Sequence, residues 1–205
     1  MTELKDAENR DIERRQEILR SVATVLREER ARASDVESIA AKAGVSDLEV
    51  QRYFGGFNQL LVEMASQLTE SLVTPLNASL TDQSIRSTLL KFGAGLVAAY
   101  EDSHLIGLYR IAVTDATRHA GLGKEFFARG PGRLTEGLTA YFRAGQRAGL
   151  IRDGDMQLRA DHFLALLRDN LEFSSSNPGR EHKANAAAVA KAVDVICSGI
   201  AKEVS

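Results

Sequence analysis

The sequence predicts an all-α chain, a small N-terminal three-helix module fused to a larger helical bundle, and three observations carry that expectation. Apolar residues recur at three- and four-residue spacing almost everywhere, the period of a helix with one buried face. Runs of Val, Ile and Thr in strict alternation, the mark of a half-buried strand, are missing. The only prolines are Pro75, Pro131 and Pro178, so little interrupts the helical pattern.

The elements follow in order. The first helix is expected from about Asp11 to Arg30, with Ile18, Leu19, Val22, Val25 and Leu26 as its apolar stripe. Ser34-Asp35-Val36-Glu37 fits a capping box and opens a short second helix, which Gly44 closes. Ser46-Asp47-Leu48-Glu49 is a second capping box, and its helix runs through Tyr53 to Gly55-Gly56. A longer helix then carries Leu60, Leu61, Met64, Leu68 and Leu72 on one face and stops near Pro75. Thr81–Tyr100 is striped by Ile85, Leu89, Phe92 and Leu96. His104–Arg118 is apolar around most of its circumference, which predicts a buried central helix, and Ala120–Gly123 breaks it. Pro131 suits the first turn of a helix reaching Ala148, with Leu134, Leu138, Tyr141 and Phe142 inward. After the turn at Asp153-Gly154-Asp155, Met156–Phe173 forms the next helix. Ser174–Gly179 is a loop, and the last helix runs to about Lys202 with Val189, Val193, Ile196 and Ile200 at heptad-like spacing.

Composition narrows the class. The 205 residues include 44% apolar and 26% charged residues, close to globular averages, so a chain of this size buries a core without disulfides or metals. Disorder as the main state is excluded. No apolar run approaches about 18 residues, so no membrane insertion is expected. Met1–Arg10 is polar and acidic-rich, unlike a secretory signal. A single cysteine, Cys197, excludes an internal disulfide framework and fits a reducing, cytoplasmic setting; on its helix it reads as a packing residue. The net charge of -2 gives no support to bulk nucleic-acid binding, so any contact with DNA must come from a local patch.

The informative stretch is Ala40-Ala41-Lys42-Ala43-Gly44-Val45-Ser46, followed by Val50. A helix-turn-helix needs these types: a small residue where two helices cross, a glycine in the left-handed conformation, an apolar plug, and a capping residue. The helix that follows lies in the DNA major groove and presents its first turns to base edges.

Together with Ile18-Leu19, Val36-Glu37-Ser38-Ile39, Tyr53-Phe54 and Leu60-Leu61, this order resembles the DNA-binding signature of the TetR family of transcriptional regulators, over about Arg14–Leu61. Thr117–Phe127, Gly130-Pro131, Gly149-Leu150-Ile151 and Phe163–Leu167 resemble the C-terminal domain of the family's AefR-like branch. The resemblance implies a flexible arm over 1–10, a DNA-binding domain over 11–57, and a ligand-sensing and dimerisation bundle over 58–205. It implies a cytoplasmic homodimer that binds double-stranded operator DNA and a small-molecule effector, with no cofactor, no metal and no membrane contact. The dimer would pair through the last two helices, by Leu167, Leu171, Val189, Val193, Ile196 and Ile200. A hydrophobic or aromatic effector would release a pseudo-palindromic operator.

The DNA-facing candidates are Ser34, Lys42, Ser46, Asp47, Leu48, Gln51, Arg52 and Tyr53. Gln51 can pair bidentately with adenine, and Arg52 and Tyr53 suit phosphate. Each has a plainer reading: Gln51 on a solvated face, Tyr53 in half-buried packing, Lys42 as a surface lysine. Ser34 and Ser46 cap helices in either case, and Asp47 favours the helix dipole. Glu49 could accept from a cytosine amine, but closing the capping box is the plainer role. The module departs from the family where Phe57 replaces a commonly basic phosphate contact, where Gln51 replaces a common tyrosine, and where Asp47, Leu48 and Glu49 follow the capping serine. Between Arg10 and Leu60, nine basic residues face nine acidic ones, so non-specific DNA affinity is expected to be weak.

Sensor candidates are the polar and aromatic residues of the apolar helices: Phe92, Tyr100, His104, Tyr109, His119, Phe127, Phe163 and Asn170. For each aromatic, plain core packing is the alternative, while the Asn170 amide demands a partner. Asp115, His119 and His162 could form a metal set, though a salt bridge or a surface histidine explains them more simply. Gly121-Leu122-Gly123-Lys124 lacks the spacing of a phosphate loop. No nucleophile, base and acid set marks an enzyme. A second reading keeps the sensor dimer but replaces DNA with protein contacts, on the strength of Phe57, Asp47 and Glu49.

Overall fold

α1 spans Thr2–Glu28, α2 Val36–Lys42, α3 Asp47–Phe54 and α4 Phe57–Val73, with a 3-10 turn at Thr74–Asn77. α5 spans Ser84–Glu101, α6 Leu122–Arg129, α7 Pro131–Arg147, α8 Met156–Ser175 and α9 His182–Ile200. This computed structural model describes residues 2–28, 36–77, 80, 84–101, 108, 121–175 and 182–200. Side chains of 2–7, 36–37, 84, 101, 122, 169–175 and 182–185 lie outside the description, as does the expected helix His104–Arg118 apart from Leu108. Among the described residues no strand occurs, and no helix is long and apolar enough to cross a membrane.

Two local expectations are corrected. Residues 2–10, expected as a flexible arm, are helical and continuous with the rest of α1. They contain no Gly or Pro, so nothing in their sequence interrupts the helix. The apolar stripe beginning at Ile18 marks where α1 packs, not where it starts. The second correction is α6, which follows directly where only a break was expected; Gly121, at φ +112°, precedes its first turn.

The chain divides into two compact units, Met1–Leu68 with Asp102–Gly130, and Thr69–Glu101 with Pro131–Ser205. In the first, α1 contributes buried Ile18, Val22 and Leu26, α2 Ile39, and α3 Val50 and Phe54. Leu60, Leu61 and Met64 of α4 and Phe126 of α6 join the same core, which carries this unit past Phe57. The α1 stripe is the predicted one.

In the second unit α8 packs against α7 and α9, and α5 against α8 and α9. The stripe Ile85, Leu89, Phe92 and Leu96 is buried, as are Leu138, Tyr141 and Phe142 of α7. The Phe92 and Phe163 rings lie 6.2 Å apart, tilted, within this core. α5 and α9 approach so closely at Gly93 that a Cβ there would stand 2.7 Å from Val189 Cγ1. The turn after α7 is closed by the Gly149 amide on the Gln146 carbonyl (2.9 Å) and the Leu150 amide on the Gly145 carbonyl (2.9 Å). Arg152 then ties it to the end of α9, its amide donating to the Ile200 carbonyl (3.0 Å) and its guanidinium to the Gly199 carbonyl (2.6 Å). Asp155 starts α8 by accepting from the amides of Gln157 and Leu158.

Candidate nucleic-acid interface

The turn between α2 and α3 is built as a helix-turn-helix. Gly44 has φ +65°, which a side chain would strain. Its amide donates to the Ala41 carbonyl (3.1 Å), and the Val45 amide to the Ala40 carbonyl (3.1 Å). That pair of bonds is a Schellman closure, and the buried Val45 supplies its apolar contact. Ser46 is then extended, with its hydroxyl accepting from the Glu49 amide at 3.3 Å. Glu49 returns the bond: its Oε2 accepts from the Ser46 amide at 3.1 Å and from the hydroxyl at 2.9 Å. The predicted capping box is complete.

α3 buries Val50 and Phe54 and turns the opposite face outward. That face carries Asp47, Leu48, Gln51 and Arg52, with Leu48 83% exposed. Lys42 is exposed at the end of α2. Ser34 and its expected capping box lie outside the described residues.

α1 holds α3 from one side, through residues that the sequence reading did not single out. Arg14 donates from Nε (3.0 Å) and Nη2 (2.6 Å) to Glu49 Oε1, and from Nη1 to Glu17 (2.7 Å). The hydrogen bonds to Glu17 and Glu49 raise the Arg14 pKa above the ordinary arginine value. Those from Arg14 and Ser46 lower that of Glu49 to about 2. Both Glu49 oxygens are thus engaged within the protein, and the cap role prevails over base reading. Arg15 donates from Nε to the Tyr53 carbonyl (3.2 Å), pairs with Glu63 of α4, and lies 4.8 Å from the Phe54 ring centroid. Asp11 Oδ1 accepts from Arg52 Nη2 (3.3 Å) and from the Tyr53 hydroxyl (3.1 Å). The Tyr53 ring is half-buried against the first core, and burial, then the Asp11 bond, raises its pKa. Phe57 packs half-buried on the same core. No spacing rule finds these partners, because they stand 35 to 48 residues apart.

The model of the AefR-like transcriptional repressor C-terminal domain matches residues 87–198, more than half of the chain. The chain belongs to the TetR family of transcriptional regulators. Nucleoid occlusion factor SlmA of Salmonella paratyphi B is 27% identical over 154 residues, 74% of this chain and 75% of that protein. A TetR-family regulator from Mesorhizobium loti superposes with a TM-score of 0.73 at 22% identity, covering 94% of this chain and 99% of that one. FadR of Bacillus subtilis, solved in complex with stearoyl-CoA, gives a TM-score of 0.63 at 15% identity over 90% and 98% of the two chains. Membership of the TetR family makes the protein a DNA-binding transcriptional regulator rather than an enzyme.

The sensor residues expected of a TetR-family bundle are only partly brought together. Phe92 and Phe163 are fully buried and adjacent, and Tyr100 is half-buried on α5. Phe127 is a correction. It lies in the first compact unit and is 61% exposed, because α6 turns its neighbour Phe126 into the core and one step along a helix rotates the side chain by about 100°. His104, Tyr109, His119 and Asp115 lie outside the described residues, as do the side chains of Asn170 and Leu171; His162 is exposed. The dimer residues need correcting as well. Leu167, Val189, Val193, Ile196 and Ile200 are buried within the protomer's own second unit, where α8, α9 and α5 pack together, and cannot form its outer surface. The outward face of α9 carries Ala187, Lys191, Asp194, Val195 and Ser198, with Val195 58% exposed.

Proposed function

We propose that this TetR-family chain is a homodimeric, ligand-responsive repressor that places α3 in the DNA major groove. The observation that carries this reading is the outward face of α3, where Leu48, Gln51 and Arg52 are exposed beside the capped turn at Gly44 and Ser46. Gln51 offers its amide to an adenine edge, Leu48 an apolar contact to a thymine methyl, and Arg52 a charge to phosphate. In a dimer, two such helices would stand about 34–36 Å apart, one turn of DNA. The outer face of α9 around Val195 is the surface proposed for pairing. Phe92 and Phe163 make the second core aromatic enough for a hydrophobic effector, and FadR, of the same fold, is solved with stearoyl-CoA. Such an effector shifts DNA binding only by favouring one dimer geometry over the other.

Fluorescence anisotropy with DNA from upstream of the protein's own gene, over a salt series and beside scrambled DNA, tests this reading. Specific binding that weakens with salt is the expected result, and the slope counts the phosphates contacted. Equal, negligible binding to every promoter tried would overturn it. That outcome would favour the second reading, in which exposed Leu48 and Asp47 meet a protein, as their apolar and acidic character suits.

A further inference from the structure

The contact between Asp11 and α3 joins an acidic side chain to two donors suited to phosphate. Asp11 Oδ1 receives Arg52 Nη2 at 3.3 Å and the Tyr53 hydroxyl at 3.1 Å. A guanidinium and a phenol converging on one anionic oxygen is the donor set that a DNA backbone phosphate takes. The cluster is open: the Arg52 side chain is 67% exposed and that of Asp11 54%, so a phosphate can reach it from solvent. Arg52 also lies 5.1 Å from the Tyr53 ring centroid, which holds the guanidinium over the aromatic face and keeps the two donors together. The carboxylate itself comes from a different helix, α1, and carries the charge that DNA would bring.

We propose that Arg52 and Tyr53 form a phosphate site that Asp11 occupies in the free protein, as an internal competitor that DNA must displace. The inference rests on the proposed role of α3 in DNA binding. The Asp11 pair is exposed and ion pairs of that kind are weak, so displacement is easy and the penalty modest. It falls on every duplex alike, because phosphate contacts carry no sequence information. Leu48 and Gln51 stay free to meet bases. The device reinforces what the even charge balance of the module begins: it keeps the regulator off bulk DNA.

The test measures binding of the full-length chain to a fluorescein-labelled mixed-sequence duplex at low salt, with melting curves to show that each variant folds. Asp11→Asn is expected to tighten binding about two- to five-fold. Glu8→Gln, which removes the same charge from an exposed position one turn earlier on α1, is expected to change it less. In an Arg52→Gln background the gain from Asp11→Asn is expected to shrink, since the displaced partner is gone. Three results would overturn the proposal while leaving α3 on DNA: Asp11→Asn weakens or leaves binding unchanged, Glu8→Gln gives an equal gain, or the gain persists without Arg52. If Arg52→Gln binds like the wild type, or no form binds any duplex, the DNA-facing role of Arg52 fails and the proposal falls with it.

Discussion

Glu49 uses both carboxylate oxygens within the protein, one on Ser46 and one on Arg14. Its pKa lies near 2 against an ordinary 4.5, so the unfolded chain binds its proton more readily. The Glu49 contribution to stability is therefore fully present above about pH 4.5 and is lost as pH falls from there towards 2. Urea midpoints from pH 7 to pH 3 should fall less steeply for Glu49→Gln than for the wild type; parallel curves would deny the coupling. Ser46→Ala should lower stability by about 1 kcal/mol at neutral pH, and Ser46→Gly by only a few tenths. Ser46 and Gly44 were legible in the sequence because caps and left-handed turns obey rules spanning three or four residues. The Arg14 and Asp11 contacts were not, because only the folded core brings α1 beside α3.

At the scale of elements, two glycines are required for different reasons. A Cβ on Gly44 would meet nothing within 4 Å, so its φ of +65° is the whole objection, and Gly44→Ala should cost about 1–2 kcal/mol. Gly93 is helical with ordinary dihedrals, and its objection is the Val189 methyl 2.7 Å away; Gly93→Ala should cost about 1–3 kcal/mol. Thermal melts of second-site variants separate the two cases. Val189→Ala should recover part of the Gly93→Ala loss, whereas trimming a neighbour has nothing to relieve at Gly44. The stripes of α1, α5 and α7 could be read directly, since a helix hides what its period groups. The α9 stripe was read correctly as apolar but given to the wrong partner. Heptad-like spacing says that a face is covered, and cannot say whether the cover is a second protomer or, as here, α5 and α8 of the same chain. α6 escaped notice because Gly121 and Gly123 flank its first residue.

For the molecule as a whole, burial and exposure separate folding from assembly. Phe92→Ala empties the centre of the second core and should cost about 3–5 kcal/mol in urea unfolding. Val193 and Val195 are two residues apart on α9, yet one is sealed and the other open. Val193→Asp should unfold the chain. Val195→Asp should leave the protomer folded, as far-UV circular dichroism reads it, and shift sedimentation towards the one-chain mass; an unaltered dimer would remove that face of α9 from the proposed interface. α3 spans Asp47–Phe54, too short to hold a helical shape alone in water. Its order depends on α1, through Arg14 at one end and Arg15 at the other. In hydrogen exchange the amides of α3 should therefore open together with those of α1, as one cooperative step, and a chain that lacks both Arg14 and Arg15 would lose the reading head along with the part of α1 removed.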